Sequence, residues 1–367
     1  MPKRSRTRIL LVNSYDMQMV RARRESGQLP SHHMFGGFEL ERDYSVELII
    51  PKLVKYAWIN RIGNWCQIEF LDQQLRSLFL LRKCDAIYAP YAATNTKLLV
   101  LLKTLGLIRK PLIILVHLPL LGQVSKSPWK RAVAKRLIQQ YDRIIFFSNR
   151  IRQEIEKGYA FDEAYCQRHF VSSQWGFDMD YFTRFDRTDV AAVPFAISAG
   201  NSWRDFDILV RAARRFEFPL KIYCKPESYP RERDIPPHVE LLSGEFPYED
   251  ICKDQVRAQF ILIPILPGAP GMLGYTSLLE ALVIGKPVIM TRNLNIDLDI
   301  EKAGIGLYVD EGDEDGWYRA IKRMVEEPAL RGQMTATIAS IDKRELSIDI
   351  LARTLAKTIS GLTDIPR

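Results

Sequence analysis

Runs of four or five largely apolar residues, each followed by a longer stretch at helical spacing, recur from one end of this chain to the other. In the first half the runs fall at residues 9–12, 46–50, 86–89, 112–116 and 144–147, and helical spacing appears at 70–81, 95–105 and 129–140. Strands this apolar cannot show one face to water, so they belong in a parallel sheet covered by helices on both sides. The second half repeats the pattern, with strands expected at 195–198, 220–223, 239–242, 260–263 and 287–290 and helices at 206–216, 248–258 and from about 276. The fold class is therefore α/β, as two doubly wound Rossmann-like domains. Ligands of such sheets bind beyond the carboxyl ends of the strands, so two sheets facing each other would hold a substrate in the cleft between them.

Length and a break in pattern give the domain limits. At roughly 150 residues per domain, 367 residues make two domains. Residues 178–193 are polar and without clear period, which marks a hinge. The reading is a first domain at 1–185, a second at 186–345, and a terminal helix at 346–367 that would pack across the join. An apolar share of 47% and a charged share of 26% exclude a disordered or fibrous chain. Five cysteines without a C-x-x-C pair argue against a disulfide framework or zinc ribbon and for a reducing compartment. The apolar run after the basic opening residues is too short for a secretory signal. The longest apolar region, 98–121, is broken by Lys103, Arg109 and Lys110, so no membrane span is expected. The net charge of +8 is uneven: residues 1–185 hold 29 Lys and Arg against 16 Asp and Glu, and residues 186–367 hold 23 against 28. A basic first half suits an anionic lipid surface, a nucleic acid or an acidic substrate, and equally a merely solvated face.

The strongest chemical signal lies at residues 271–290. A glycine-bearing turn at Gly271 to Gly274 delivers Tyr275, Thr276 and Ser277 to the start of an apolar helix, where free N–H groups and the positive dipole end suit a phosphate. Glu280, one turn further in, can accept hydrogen bonds from two adjacent hydroxyls such as those of a ribose. The same residues also read as a capping box, Ser277 with Glu280 three positions on.

This segment resembles the donor-site signature of GT-B glycosyltransferases, in particular the retaining family-four group, which typically reads E-G-F-G-L-S-L-L-E-A-M-A-x-G-K-P-V-I. Residues 195–206, with Gly200, Asn201 and Arg204, look like that group's first strand and turn of the second domain. Residues 175–182 are similar to its interdomain G-x-D-x-x-x-F stretch, and residues 31–37, with Gly36 and Gly37, to the loop that meets the donor phosphates. The resemblance spans nearly the whole chain and implies a GT-B architecture. It implies that Glu280 holds the nucleotide ribose, that Gly274, Thr276 and Ser277 serve the pyrophosphate, and that Arg204 and Lys225 neutralise charge on the leaving diphosphate. The sequence departs from the group's pattern at Met272, where the first acid of E-x7-E would stand, at Asn201, where an arginine is usual, and at Leu273 and Tyr275, where the two glycines would fall. Those departures bear on the sugar contacts.

His117 directly follows the strand at 112–116. In the resembling group a histidine there contacts the donor sugar, and at a pKa near 6.5 it could exchange protons with an acceptor hydroxyl; a strand-end histidine bonded to backbone is the plainer reading. His32 and His33, beside the Gly36–Gly37 turn, and Trp58, in an aromatic stretch at 56–65, are acceptor-side candidates. Three Asp-x-Asp triplets begin at Asp178, Asp205 and Asp297. Their number makes the pattern unspecific, and with two cations and a helix N-terminus available no metal and no other cofactor is expected. The basic stretch 126–138 mixes cations with Trp129, Val133 and Leu137 and could lie on an anionic bilayer or form an ordinary surface helix.

The resemblance thus implies a retaining transferase. It would move a sugar from a nucleotide-diphosphate donor, UDP-linked rather than GDP-linked, to a hydroxyl of a lipid-linked, saccharide or small-molecule acceptor. Reaction on one face, with the leaving phosphate helping to deprotonate the acceptor, is the implied mechanism. The expected setting is the cytoplasm, with peripheral contact to the inner membrane face through the basic first domain and no nucleic acid. The rivals are an epimerase or phosphorylase on the same fold and a degenerate basic binding protein.

Overall fold

The computed structural model describes residues 6–90, 95–120, 125–186, 189 and 191–363. The chain divides into two compact units, Met1–Gly176 with Ile348–Arg367, and Phe177–Ser347. In the first unit, β1 (Thr7–Leu11), β2 (Val46–Ile49), β3 (Ala86–Ala89), β4 (Leu112–Val116), β5 (Arg143–Phe146) and β6 (Phe170–Ser172) form a sheet in the order β2-β1-β3-β4-β5-β6. Every neighbouring pair is parallel. β3 and β4 are buried along their whole length, as strands without a polar alternate must be. The intervening helices are α1 (Met17–Glu25), α2 (Gly37–Asp43), α3 (Ala57–Trp65), α4 (Leu71–Leu80), α5 (Lys97–Thr104), α6 (Pro128–Ile138), α7 (Asn149–Gly158) and α8 (Glu163–His169). Side-chain caps start several of them: Asp16 accepts from the amides of Gln18 and Met19, Ser148 from Ile151, and Asp162 from Tyr165.

In the second unit, β7 (Ala196–Ala199), β8 (Leu220–Cys224), β9 (Val239–Ser243), β10 (Phe260–Ile263), β11 (Val288–Thr291) and β12 (Gly306–Val309) form a second parallel sheet, ordered β12-β11-β10-β7-β8-β9. Its helices are α9 (Met179–Phe182), α10 (Phe206–Ala213), α11 (Tyr248–Arg257), α12 (Tyr275–Ile284), α13 (Glu314–Glu326) and α14 (Pro328–Ser340). Phe206, Leu209, Trp317, Ile321 and Met324 lie in its core, and α10 packs on α13. The last helix, α15 (Asp349–Thr363), returns to the first unit, where Leu351, Ala352 and Leu355 are buried and the helix packs on α2.

β6 and β12 have no counterpart in the expected strands. Phe170–Ser172 is only three residues long, and Gly306 weakens the apolar run of β12; both are edge strands held by a partner rather than by pattern. The stretch expected to be an unstructured hinge contains α9, capped by Asp178 on the Tyr181 amide, with Tyr181 and Phe182 buried. Of that stretch, residues 187, 188 and 190 lie outside the described residues. Phe177 pairs with Ser347, so the two points where the chain passes between units are bound to each other.

Candidate functional site

β7 and β10 are neighbours whose outward connections run to opposite sides of the second sheet, which makes their carboxyl ends its switch point. The loops leaving them are joined. Arg204 and Ile265 form an antiparallel bridge, the Leu266 amide donates to the Trp203 carbonyl at 2.9 Å, and the Asp205 amide donates to the Pro264 carbonyl at 3.3 Å. Arg204 Nη2 donates to Ser277 Oγ at 2.7 Å, so the loop after β7 is tied to the first turn of α12. Gly200, at φ 146°, makes this arrangement fit: a Cβ there would stand 2.8 Å from Arg204 Nη2. Among the described residues no carboxylate forms a salt bridge with Arg204, and its buried Nε has no hydrogen-bond partner. Burial lowers the Arg204 pKa to about 10, partly offset by the Glu280 charge, so the guanidinium stays cationic at neutral pH.

Gly274 is the N-cap of α12, at φ 90°, and a Cβ on it would meet Met290 Cε at 2.7 Å and Ile263 Cγ2 at 3.1 Å. Among the described residues no side chain caps the helix. The Tyr275 amide reaches the Met272 carbonyl at 3.1 Å, whereas the amides of Thr276 and Ser277 have no partner among the described residues. The capping box does not form: with the cap at Gly274, Ser277 and Glu280 sit inside the helix, and their side chains turn to other partners. Met272 is buried and Tyr275 half-buried. The turn before the helix is held by Asn293, whose Nδ2 donates to the carbonyls of Gly271 at 2.9 Å and Leu273 at 3.1 Å, and by Asn295, whose Nδ2 donates to Gly271 at 3.0 Å.

Glu280 is engaged on both oxygens. Tyr248 Oη donates to Oε1, and Gln255 Nε2 donates to Oε2 at 3.1 Å. Burial raises the carboxyl pKa, while these two donors and the Arg204 charge pull it down. A carboxylate has about four acceptor sites, so two donors leave room for further hydroxyls. Tyr248 and Gln255 stand seven positions apart on one face of α11, and neither they nor Asn293 and Asn295 stood out in the sequence. The only signal for the asparagines is two polar residues directly after an apolar strand.

Lys225 follows β8 and opens the short helix Pro226–Ser228; its ammonium has no hydrogen bond or ion pair among the described residues. Asn201 is exposed, and its carbonyl accepts from Ser228 Oγ at 3.0 Å. Four of the six aspartates in the Asp-x-Asp triplets accept from backbone amides. Asp178 and Asp205 cap helices, Asp207 accepts from the amides of Arg231 and Glu232, and Asp299 accepts from those of Glu301 and Lys302.

In the first unit, His117 follows β4, and burial lowers its pKa to about 4. The imidazole is therefore neutral at pH 7, which corrects the expectation of a titration near 6.5. His32 and His33 stack at 4.7 Å within the short helix Ser31–Met34. Burial pushes both pKa values down, His33 to about 4. Gly36 and Gly37 begin α2, where a Cβ would stand 3.1 Å from Leu355 Cδ1 of α15 at the first and 2.9 Å from Leu48 Cδ1 at the second. Packing within the unit thus accounts for both glycines. Trp58 is exposed on α3.

Two parallel six-stranded Rossmann-like sheets in one chain, the second with its switch point furnished as described, define a GT-B architecture. Solved structures of that fold match along essentially the whole chain. A sucrose-phosphate synthase from Thermosynechococcus elongatus is 14% identical at a TM-score of 0.64, over 98% of this chain and 100% of its own. The Anabaena protein HepE in complex with UDP-glucose is 14% identical at 0.63, over 97% and 99%. UDP-GlcNAc 2-epimerase from Neisseria meningitidis, bound to UDP-GlcNAc, is 12% identical at 0.61, over 97% and 100%. No protein-family model matches the sequence, and no curated protein matches it.

Proposed function

We propose that this chain is a glycosyltransferase that takes its sugar from a nucleoside-diphosphate donor, UDP-linked, and delivers it to a hydroxyl acceptor. The observation that carries the reading is the convergence at the switch point of the second sheet. Arg204, a cation without a carboxylate partner among the described residues, is bonded to Ser277 beside helix amides that no described protein group satisfies. Such a place suits a diphosphate. Glu280 would add ribose hydroxyls to the donors it already holds, and Lys225 would approach the leaving phosphate. The bound nucleotides named for HepE and the Neisseria epimerase favour UDP.

In this reading the acceptor oxygen forms a bond to the anomeric carbon on the face from which the diphosphate departs. The C–O bond to phosphate breaks with its electron pair, and the acceptor proton passes to the leaving phosphate oxygen. The configuration is retained. Arg204, Lys225 and the α12 amides stabilise the developing charge, with no divalent ion required. His117, neutral at pH 7, would orient a hydroxyl by hydrogen bonding rather than act as a cation. The first unit is assigned the acceptor, be it lipid-linked, saccharide or small molecule.

The test is a thermal-shift series with UDP, GDP, ADP and their sugar conjugates, since a ligand that binds only the native state raises its stability. A shift with UDP compounds alone supports the reading; no shift with any nucleotide overturns it. Product analysis then separates transfer from the epimerase reading. Transfer releases UDP only when an acceptor is present, whereas an epimerase alters the sugar without one.

A further inference from the structure

The helix α3 is built inside out. Its one fully buried residue is Gly63, where a Cβ would strike the Ile68 carbonyl and stand 2.6 Å from Leu71 Cβ, so the helix leans on the following segment by its glycine face. Asn60, on that same side, accepts the Asp72 amide at 3.0 Å. The apolar residues lie opposite. Trp58, Ile62 and Trp65, at i, i+4 and i+7, share one face and are 62%, 47% and 86% exposed. An amphipathic helix of a globular domain normally turns that stripe inward.

The neighbouring helices extend the feature. α3 packs on α4, α4 on α5 and α5 on α6, and each of these also leaves large apolar side chains in water, among them Phe79 on α4 and Trp129 and Val133 on α6. Eleven of the twenty exposed large apolar side chains among the described residues fall between positions 54 and 133. Residues 97–110 and 126–136 together contain nine lysines and arginines and no acid; Lys103 turns inward to Asp142, and the other eight make no ion pair among the described residues. Arg61 flanks the α3 stripe, and no acid occurs between Glu47 and Glu69.

We propose that the α3 face of Trp58, Ile62 and Trp65, with the cationic α5–α6 surface beside it, is a docking surface for an anionic lipid bilayer, on which the protein rests without crossing it. Tryptophan among cations is the composition of an interfacial helix, with rings at the headgroup level and ammonium groups against lipid phosphates. Charge selects this occupant over a second copy of the chain, which would set one lysine-rich face against another, and protein interfaces are poor in lysine. Among the described residues no helix is long and apolar enough to cross a membrane, so the contact is peripheral. The inference stands independently of the nucleotide reading.

The experiment is co-sedimentation of the full chain with vesicles of phosphatidylcholine mixed with phosphatidylglycerol, against vesicles of phosphatidylcholine alone. The expected result is binding to the anionic vesicles only, weakened by salt, with a blue shift of tryptophan fluorescence. Binding should fall about tenfold or more in Trp58→Ser/Ile62→Ser/Trp65→Ser, while the far-UV melting curve stays in place because these side chains are exposed. Lys130→Glu/Arg131→Glu, which leaves the apolar stripe intact, should weaken binding by a smaller, salt-dependent factor. Absence of vesicle binding, or equal binding by the triple variant, overturns the proposal. So does a concentration-dependent dimer in sedimentation velocity that the triple variant abolishes.

Discussion

In the second unit the loops after β7 and β10 supply, among the described residues, an arginine bonded to Ser277 but to no carboxylate and helix amides without a partner, whereas after β4 of the first the chain supplies His117, an imidazole that burial holds neutral. Both sheets are parallel, six-stranded and made from the same apolar runs, yet their strand orders differ, β2-β1-β3-β4-β5-β6 against β12-β11-β10-β7-β8-β9. The second order brings the loops after β7 and β10 side by side, so that Arg204 can reach Ser277. The lesson is one of charge. The half of the chain that balances negative, residues 186–367, places Arg204 beside the start of α12, and the basic half carries cations on its outer helices while burial keeps His32, His33 and His117 neutral. On the proposed function, the second unit would take the anionic donor and the first an uncharged hydroxyl.

The sharpest way to break this comparison is Arg204→Ala. If the guanidinium acts on charge that develops during transfer, turnover should fall about 10²–10³-fold, as for loss of one preorganised donor, with a smaller change in UDP affinity. Steady-state kinetics beside calorimetric titration with UDP separate the two, and equal losses would reassign Arg204 to ground-state binding. Next, Glu280→Ala should weaken UDP binding by about 1.5–3 kcal/mol. Unchanged affinity would reduce Glu280 to a structural partner of Tyr248 and Gln255.

Acid distinguishes the units in another way. His32, His33, His117 and His169 all lie in the first unit with pKa values lowered by burial. Between the ordinary 6.5 and the folded value of about 4 for His33 and His117, the unfolded chain binds more protons than the folded one. Stability of the first unit is therefore complete above pH 6.5 and is lost as pH falls toward 4, by up to about 1.4 kcal/mol per pH unit for each histidine. Calorimetry across that range should show an earlier transition moving down, and His33→Gln should flatten its slope. The smallest effect is expected of Ser277→Ala, which removes the hydroxyl that steadies Arg204 and should cost about 1 kcal/mol in UDP affinity.

Most of the sheet scaffold was legible because fully apolar runs have nowhere to go but the middle of a covered sheet. β6 and β12 were not, since β6 is only three residues long and Gly306 breaks the apolar run of β12, whereas the edge strands β2 and β9 carry longer runs of their own. Within the site, the helix start after the Gly271–Gly274 turn could be read from turn chemistry, and Arg204 was singled out by the family resemblance alone. The ring of supports could not: Tyr248, Gln255, Asn293 and Asn295 come from elements far apart in sequence and act only where the sheet order gathers them. The Asp-x-Asp triplets were likewise undecidable by spacing, because a capping aspartate and a metal-binding one look alike until the amide in front of it is seen.

By itself, then, the order of residues determined the period of each element, the left-handed turn that only glycine tolerates before α12, and the uneven charge between halves, because these depend on contacts a few positions away. Which loops meet, whether Glu280 has partners, how far burial drives a histidine from its ordinary pKa, and that Trp58, Ile62 and Trp65 face water were settled by the tertiary structure alone. Desolvation and long-range packing are properties of the space around a residue, and that space exists only once distant segments have come together.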